Sequence, residues 1–299
     1  MNRVAQHPIQ AFIVALAAVA VLSIMDAVMK HLVLAIGIVA VSVWRALANL
    51  LISGALYLPR RTSWPDRPTL RIHIARAVDV TVMAFLFFWG IGRVPLAQAI
   101  ALTFIAPLIA VLLAAIFLHE RIGSRSLFGS VIAFAGVVVI VLGQAHAELG
   151  DEVLLGTAAI IGSALCYAGN IVMMRRQAVA AKPLEINFFQ SSVVMILWLA
   201  ALLFVRMPAW PSEQWPWVVV AALMSSSGTL LFAFAYARGE ASYLAVTEYS
   251  AFLWAAALGW IVFHEPVSAF TLAGALLIVG GCLVGVGGKS TAPPEMDYT

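Results

Sequence analysis

The chain has 299 residues, of which 63% are hydrophobic and only 10% charged, with mean hydropathy +1.01 and a formal net charge of +3. A water-soluble domain carries about 25% charged residues, so these values exclude an ordinary globular protein, a disordered chain and a secreted disulfide scaffold. The small positive charge calls for no nucleic-acid partner. The apolar residues run continuously in blocks about 20 long, the length at which an α-helix crosses a bilayer. They do not alternate as in a membrane β-barrel. The expected fold is therefore all-α and embedded in a bilayer.

Ten spans are predicted, at about 10–32, 37–57, 71–91, 95–118, 124–143, 153–175, 184–205, 215–237, 241–263 and 268–287. Short loops punctuated by proline, glycine or charge separate them, as at Pro59-Arg60-Arg61, Gly92-Arg93-Val94-Pro95 and Lys182-Pro183. The first block follows Arg3 and could pass for a signal peptide, but Asp26 and Lys30 near its end point to a retained helix. Pro107 is placed to bend the fourth span. The tail 289–299 is polar and expected to be flexible. Cys166 and Cys282 lie in apolar blocks and read as packing residues.

With the amino terminus in the cytoplasm, one alternate set of loops carries twelve Lys and Arg residues and the other only Lys30, Arg93 and Arg206. Basic residues concentrate in cytoplasmic loops, which predicts a multi-pass protein of the plasma (bacterial inner) membrane with both termini inside.

Sliding the chain by 145 residues places His119-Glu120 on His264-Glu265, Gly129 on Gly274 and Gly136 on Gly281. A repeat of five spans, an odd number, must insert its second copy upside down. The expected organisation is a first repeat over 1–148 and an inverted second repeat over 149–288, the layout of secondary transporters.

A polar residue in lipid has to face a partner or a water-filled cavity. Stripes at helical spacing include Ser42, Arg45, Asn49 and Ser53 on the second span and Ser163, Tyr167 and Asn170 on the sixth. Candidate cavity or substrate residues are Asp26, Trp44, Arg45, Asp79, Met83, Gln98, Tyr167, Asn170, Gln190, Glu248, Tyr249 and Trp254. Asp26 and Asn170 are expected to approach the cavity from opposite halves, and Arg45 is expected to pair with Asp79. Arg76, one turn before Asp79, competes for the same carboxylate. Spans five and ten are almost wholly apolar, with small residues at packing intervals (Gly129, Ala133, Gly136, Gly143; Gly274, Gly281, Gly285, Gly288), and read as scaffold or as the contact of a homodimer.

The histidines sit at span ends or in loops, and no HExxH motif occurs. Gly288-Lys289-Ser290 lacks the first glycine of a phosphate-binding loop, Leu283 standing in its place. No enzyme activity, metal or cofactor is expected; an intramembrane enzyme is the rival reading outside transport.

The ten spans, the inverted repeat and the paired segments Arg93 to Glu120 and Arg238 to Glu265 resemble the drug/metabolite transporter superfamily, specifically its EamA-type carriers and among them the YddG-type aromatic amino-acid exporters. The second segment departs at the proline, with Gly239-Glu240-Ala241. The resemblance implies ten helices around a central cavity and export of neutral amino acids, as a monomer or a homodimer through the glycine-rich spans. The deep charges, Arg45 and Arg76 against Asp26, Asp79 and Glu248, suit a zwitterion better than a phosphorylated solute. Export of cationic drugs or polyamines stays open.

Overall fold

The computed structural model describes residues 8–61, 64–106, 108–109, 124–146, 150–236 and 247–286. Its helices are α1 (Pro8–Ile36), α2 (Ile38–Tyr57), α3 (Arg67–Ile91), α4 (Leu96–Thr103), α5 (Ser124–His146), α6 (Asp151–Ala180), α7 (Pro183–Ala201), α8 (Trp215–Tyr236), α9 (Ser250–Phe263) and α10 (Ala269–Val286). There is no strand among the described residues. Stretches in α1, α2, α3, α6, α7 and α8 are long and apolar enough to cross a membrane, and shorter apolar helices lie in α5, α9 and α10.

Local chemistry explains the helix ends. Gly37 adopts φ 78°, a left-handed conformation that suits glycine, and breaks the chain between α1 and α2. Asp66 caps α3, its carboxylate accepting the Thr69 backbone N–H at 3.0 Å with Pro68 in the first turn. That bond holds the exposed Asp66 carboxyl below the usual carboxylate range. At the end of α9, His264 takes the left-handed φ of 55° and Glu265 donates its N–H to the Gly259 carbonyl at 3.0 Å. The described part of α4 passes into a turn at Phe104 and Ile105, just ahead of Pro107. Pro107, His119-Glu120 and Arg238-Gly239-Glu240 lie outside the described residues.

The helix pairs in contact include α5 with α10, α3 with α6, α1 with α8, α2 with α7 and α4 with α9; α7 also packs on α3, α9 on α1 and α8 on α2. Glycine sets the closest approaches. A Cβ on Gly136 would lie 2.6 Å from the Gly274 carbonyl oxygen, and one on Gly281 would lie 2.5 Å from the Gly129 carbonyl oxygen. The glycine stripes of α5 and α10 thus face each other within one chain. The scaffold reading accounts for them, and a homodimer would need a different surface. The outward face of α5 presents Leu127, Phe128, Val131, Phe134 and Leu142, all exposed and apolar. Glycine also brings α3 against α6, where a Cβ on Gly90 would meet Ile160 at 2.5 Å, and α8 against α1, where one on Gly228 would meet Leu22 at 2.6 Å.

Side-chain contacts define two ends. At one, His31 meets Trp217, Trp44 meets Trp210, and Arg93 Nε donates to Glu152 at 2.6 Å. At the other, Tyr57 stacks on Phe188, Trp64 meets Phe189, and His73 reaches Glu185.

Candidate transport site

Three polar clusters are built across the helix pairs. The first joins α1 to α2. Asp26 and Arg45 act on each other as opposite charges, each the main ionic influence on the other. The Arg45 guanidinium also lies 4.9 Å from the ring centre of Phe88 on α3, a cation–π contact. An arginine at the centre of a bilayer costs about 3 kcal/mol, and here a carboxylate and an aromatic face offset it. Arg45 Nε and, one turn on, Asn49 Oδ1 are buried with no hydrogen-bond partner among the described residues. Their bonding capacity remains available to a polar solute.

The second cluster joins α3, α6 and α7 in a continuous chain. Arg76 Nε donates to Asn170 Oδ1 at 2.8 Å and Arg76 Nη1 to Gln177 Oε1 at 2.5 Å. Gln177 Nε2 meets His73 Nδ1 at 2.5 Å, and His73 Nε2 meets Glu185 Oε1 at 3.3 Å. Phe189 stacks on the His73 ring at 5.1 Å, and His73 and Gln177 are fully buried. Asp79 is the acid beside Arg76, and its Oδ2 is buried without a hydrogen bond among the described residues. Asp79 stands against Gly169 of α6. One turn further along α3, an apolar groove opens toward α7, lined by Thr81, Val82, Phe85, Leu86, Leu197 and Trp198.

The third cluster ties α1, α4 and the end of α9. Lys30 Nζ bonds Glu265 Oε1 and donates to the Val94 carbonyl at 2.7 Å, while Glu265 Oε2 accepts the Leu96 N–H at 2.9 Å. Lys30 is only 3% exposed and also lies 5.3 Å from the Phe263 ring centre. Every oxygen of this carboxylate has a partner, which is what allows a charge pair to be buried.

The expected pair of Arg45 with Asp79 does not form. They share no hydrogen bond or ion pair: the Arg45 guanidinium lies against Phe88 with Asp26 as the acid that acts on it, itself without a hydrogen bond to Arg45, and Asp79 is acted on by Arg76. Asn170 is the acceptor that holds Arg76 Nε. Trp44 is buried and donates its indole N–H to the Ala209 carbonyl at 3.1 Å, which anchors the loop before α8. Tyr167 faces the charge of Glu248, Tyr249 meets Phe104 edge-on at 5.4 Å, and Met83 accepts the Ser163 hydroxyl at its carbonyl at 2.9 Å. Gln98 is buried with Nε2 unpartnered among the described residues, Gln190 is half-buried on α7, and Trp254 is exposed. Nothing in the span pattern marks Gln177 or Glu185, which stand at span ends. The Lys30–Glu265 pair has a sequence signal in the 145-residue offset, which carries Lys30 onto Arg175 and Glu265 onto Glu120.

Residues 9–142 and 154–286 match the EamA-like transporter family. The chain belongs to that family. It is 23% identical over 218 residues to the pseudopaline exporter of Pseudomonas aeruginosa, covering 70% of this chain and 72% of that one. It is 24% identical over 287 residues to the riboflavin transporter of Vibrio cholerae, covering 91% of each. Over 88 residues, 29% of either chain, it is 38% identical to a probable terminal-alkyne amino-acid exporter of Streptantibioticus cattleyicolor. A solved crystal structure, 22% identical, superposes with a TM-score of 0.61 over 92% of this chain and 96% of that chain, which shows a shared fold. The chain is an integral membrane transporter of small metabolites and not an enzyme.

Proposed function

We propose that the protein exports small zwitterionic amino acids with bulky apolar side chains, by alternating access. The observation that carries this reading is Arg45, its guanidinium 4.9 Å from the Phe88 ring centre and its buried Nε without a partner among the described residues, with Asp26 of α1 as the acid that acts on it. An ammonium and a carboxylate on one solute can each find a complementary charge there, and an aromatic face receives the side chain. The name of the alkyne amino-acid exporter, and the net charge of the deep residues, support an amino acid over a phosphorylated solute.

The helix pairing supports two inverted repeats. Advancing every helix by five places turns α1–α8 into α3–α6 and returns α2–α7, α4–α9 and α5–α10 to themselves. The two family-matched stretches begin 145 residues apart, the same offset as the sequence repeat. Lys30, Val94 and Glu265 meet at one end, as the alternation of loops requires, and that end is the outer one if the basic loops are cytoplasmic.

The test is counterflow in proteoliposomes with a panel of amino acids. Each buried methylene contributes about 0.8 kcal/mol, so phenylalanine should be favoured over glycine by at least about tenfold. Equal transport of the two, or preference for phosphorylated solutes, refutes the reading. Asp79 Oδ2, buried without a hydrogen bond among the described residues, favours a second reading, export of organic cations, which preference for a polyamine over phenylalanine would establish.

A further inference from the structure

We infer that the Lys30–Glu265 pair is a gate of the transport cycle: it closes the bundle at its own end and must break for a solute to pass there. Three observations carry this. The pair joins segments that lie far apart in sequence, the last two turns of α1, the start of α4 and the second residue after α9, and so spans the two family-matched stretches. It is built to hold in one arrangement only. Both Glu265 oxygens are bonded, Lys30 has a second acceptor at Val94 O, and the left-handed His264 aims Glu265 back at the start of α4. It also lies one helical turn from Asp26, so the ends of α1, α4 and α9 meet directly above the cluster proposed to receive the solute. A buried ion pair is strongly bound when complete and unfavourable when separated without water. Opening that admits water removes this penalty, so the pair has two discrete states, joined and dry or parted and hydrated. A bistable contact between packed elements is what converts a small local change into a large one. In sequence, a base and an acid recur 145 residues away as Arg175 and Glu120.

The experiment follows access, not transport, and therefore does not depend on the identity of the substrate. In a background with Cys166→Ala and Cys282→Ala, the reporter Asn49→Cys is placed on α2, and the protein is reconstituted in vesicles. An impermeant maleimide is added from the Lys30 end. Glu265→Gln is expected to raise the labelling rate by about tenfold, the scale of a typical coupling between two states. In Lys30→Cys/Glu265→Cys carrying the reporter, the gate cysteines are first bridged by a short bis-methanethiosulfonate reagent. Bridging should abolish labelling from that end while labelling from the opposite end persists, and a reductant should restore it. Persisting labelling from the opposite end shows that the reporter thiol has not itself been consumed, and an efficient internal bridge needs the two positions adjacent, as they are in the folded protein, so misfolding of the charge variants does not decide the outcome. Bridged and unbridged protein labelled alike from the Lys30 end, whether quickly or not at all, overturns the inference. If the gate behaves as expected and no amino acid is transported, the substrate reading alone fails.

Discussion

Asn170→Leu isolates one link of the chain that runs from Arg76 to Glu185. The substitution removes the oxygen that accepts Arg76 Nε at 2.8 Å and leaves a charged N–H facing leucine. A hydrogen bond to a charged group contributes about 1.5–3 kcal/mol, and stranding a buried donor adds to that. A loss of about 2–3 kcal/mol is therefore expected, with Arg76 still held by Gln177. Gln177→Leu should cost more, about 3–5 kcal/mol, because that amide serves both Arg76 and the buried His73. Asn170→Asp, which offers the guanidinium a carboxylate, should cost little. The assay is reversible unfolding in mixed micelles titrated with sodium dodecyl sulfate, read by tryptophan fluorescence, with Arg76→Met crossed against each variant. Both leucine variants within about 0.5 kcal/mol of the wild type, or strictly additive losses with Arg76→Met, would refute the chain as an energetic unit. At equal membrane abundance Asn170→Leu should also transport more slowly, since Arg76 and Asp79 would no longer be held in place.

Gly136→Ala should destabilise the protein by about 1–3 kcal/mol through overpacking, while Leu142→Ala on the exposed face of α5 should change the unfolding midpoint far less. Arg45→Gln and Asp79→Asn should add independently in the same titration, whereas Arg45→Gln and Asp26→Asn should couple by at least about 0.5 kcal/mol. Trp44→Phe should lose about 1 kcal/mol with the bond to Ala209 and loosen the 206–214 loop, visible as faster hydrogen exchange there. Asp66→Ala should speed exchange in the first turn of α3 and Asp66→Asn should not. Because its hydrogen bond lowers the Asp66 pKa, the part of the cap that rests on the negative charge is complete above the ordinary carboxylate range and is lost as pH falls through the lowered value. Exchange in that turn that does not change across acid pH would count against the cap.

Hydropathy and charge spacing made the helical membrane fold legible, because the bilayer demands long apolar segments and tolerates little else. The small-residue stripes of α5 and α10 were legible for the same reason: a helix face without side chains can only be filled by another helix. Partner choice among the charges was not. Arg45 and Asp79 are on neighbouring antiparallel spans, and counting residues puts them near one depth. Depth says nothing about rotation around each helix axis, however, and it is rotation that turns Arg45 toward Asp26 and Asp79 toward Gly169. Gln177 and Glu185 were invisible because uncharged or terminal polar residues carry no hydropathy anomaly. The indole of Trp44 shows its apolar ring in composition, and its N–H bond to Ala209 only in three dimensions.

The mutual fit of α5 and α10 has a consequence for biogenesis. The partner of the α5 glycine face is the last helix of the described chain, and roughly 120 residues separate the end of one from the start of the other. At about 5–20 residues per second, α5 waits for many seconds of synthesis with Gly129, Gly136 and Gly143 uncovered. A chain stalled before residue 269 has no intramolecular cover for that stripe. A second nascent copy, or a quality-control protease that reads exposed small-residue faces in the membrane, would meet it first. Completion of α10 is thus the step that covers the α5 stripe and commits this pair of helices to its native packing.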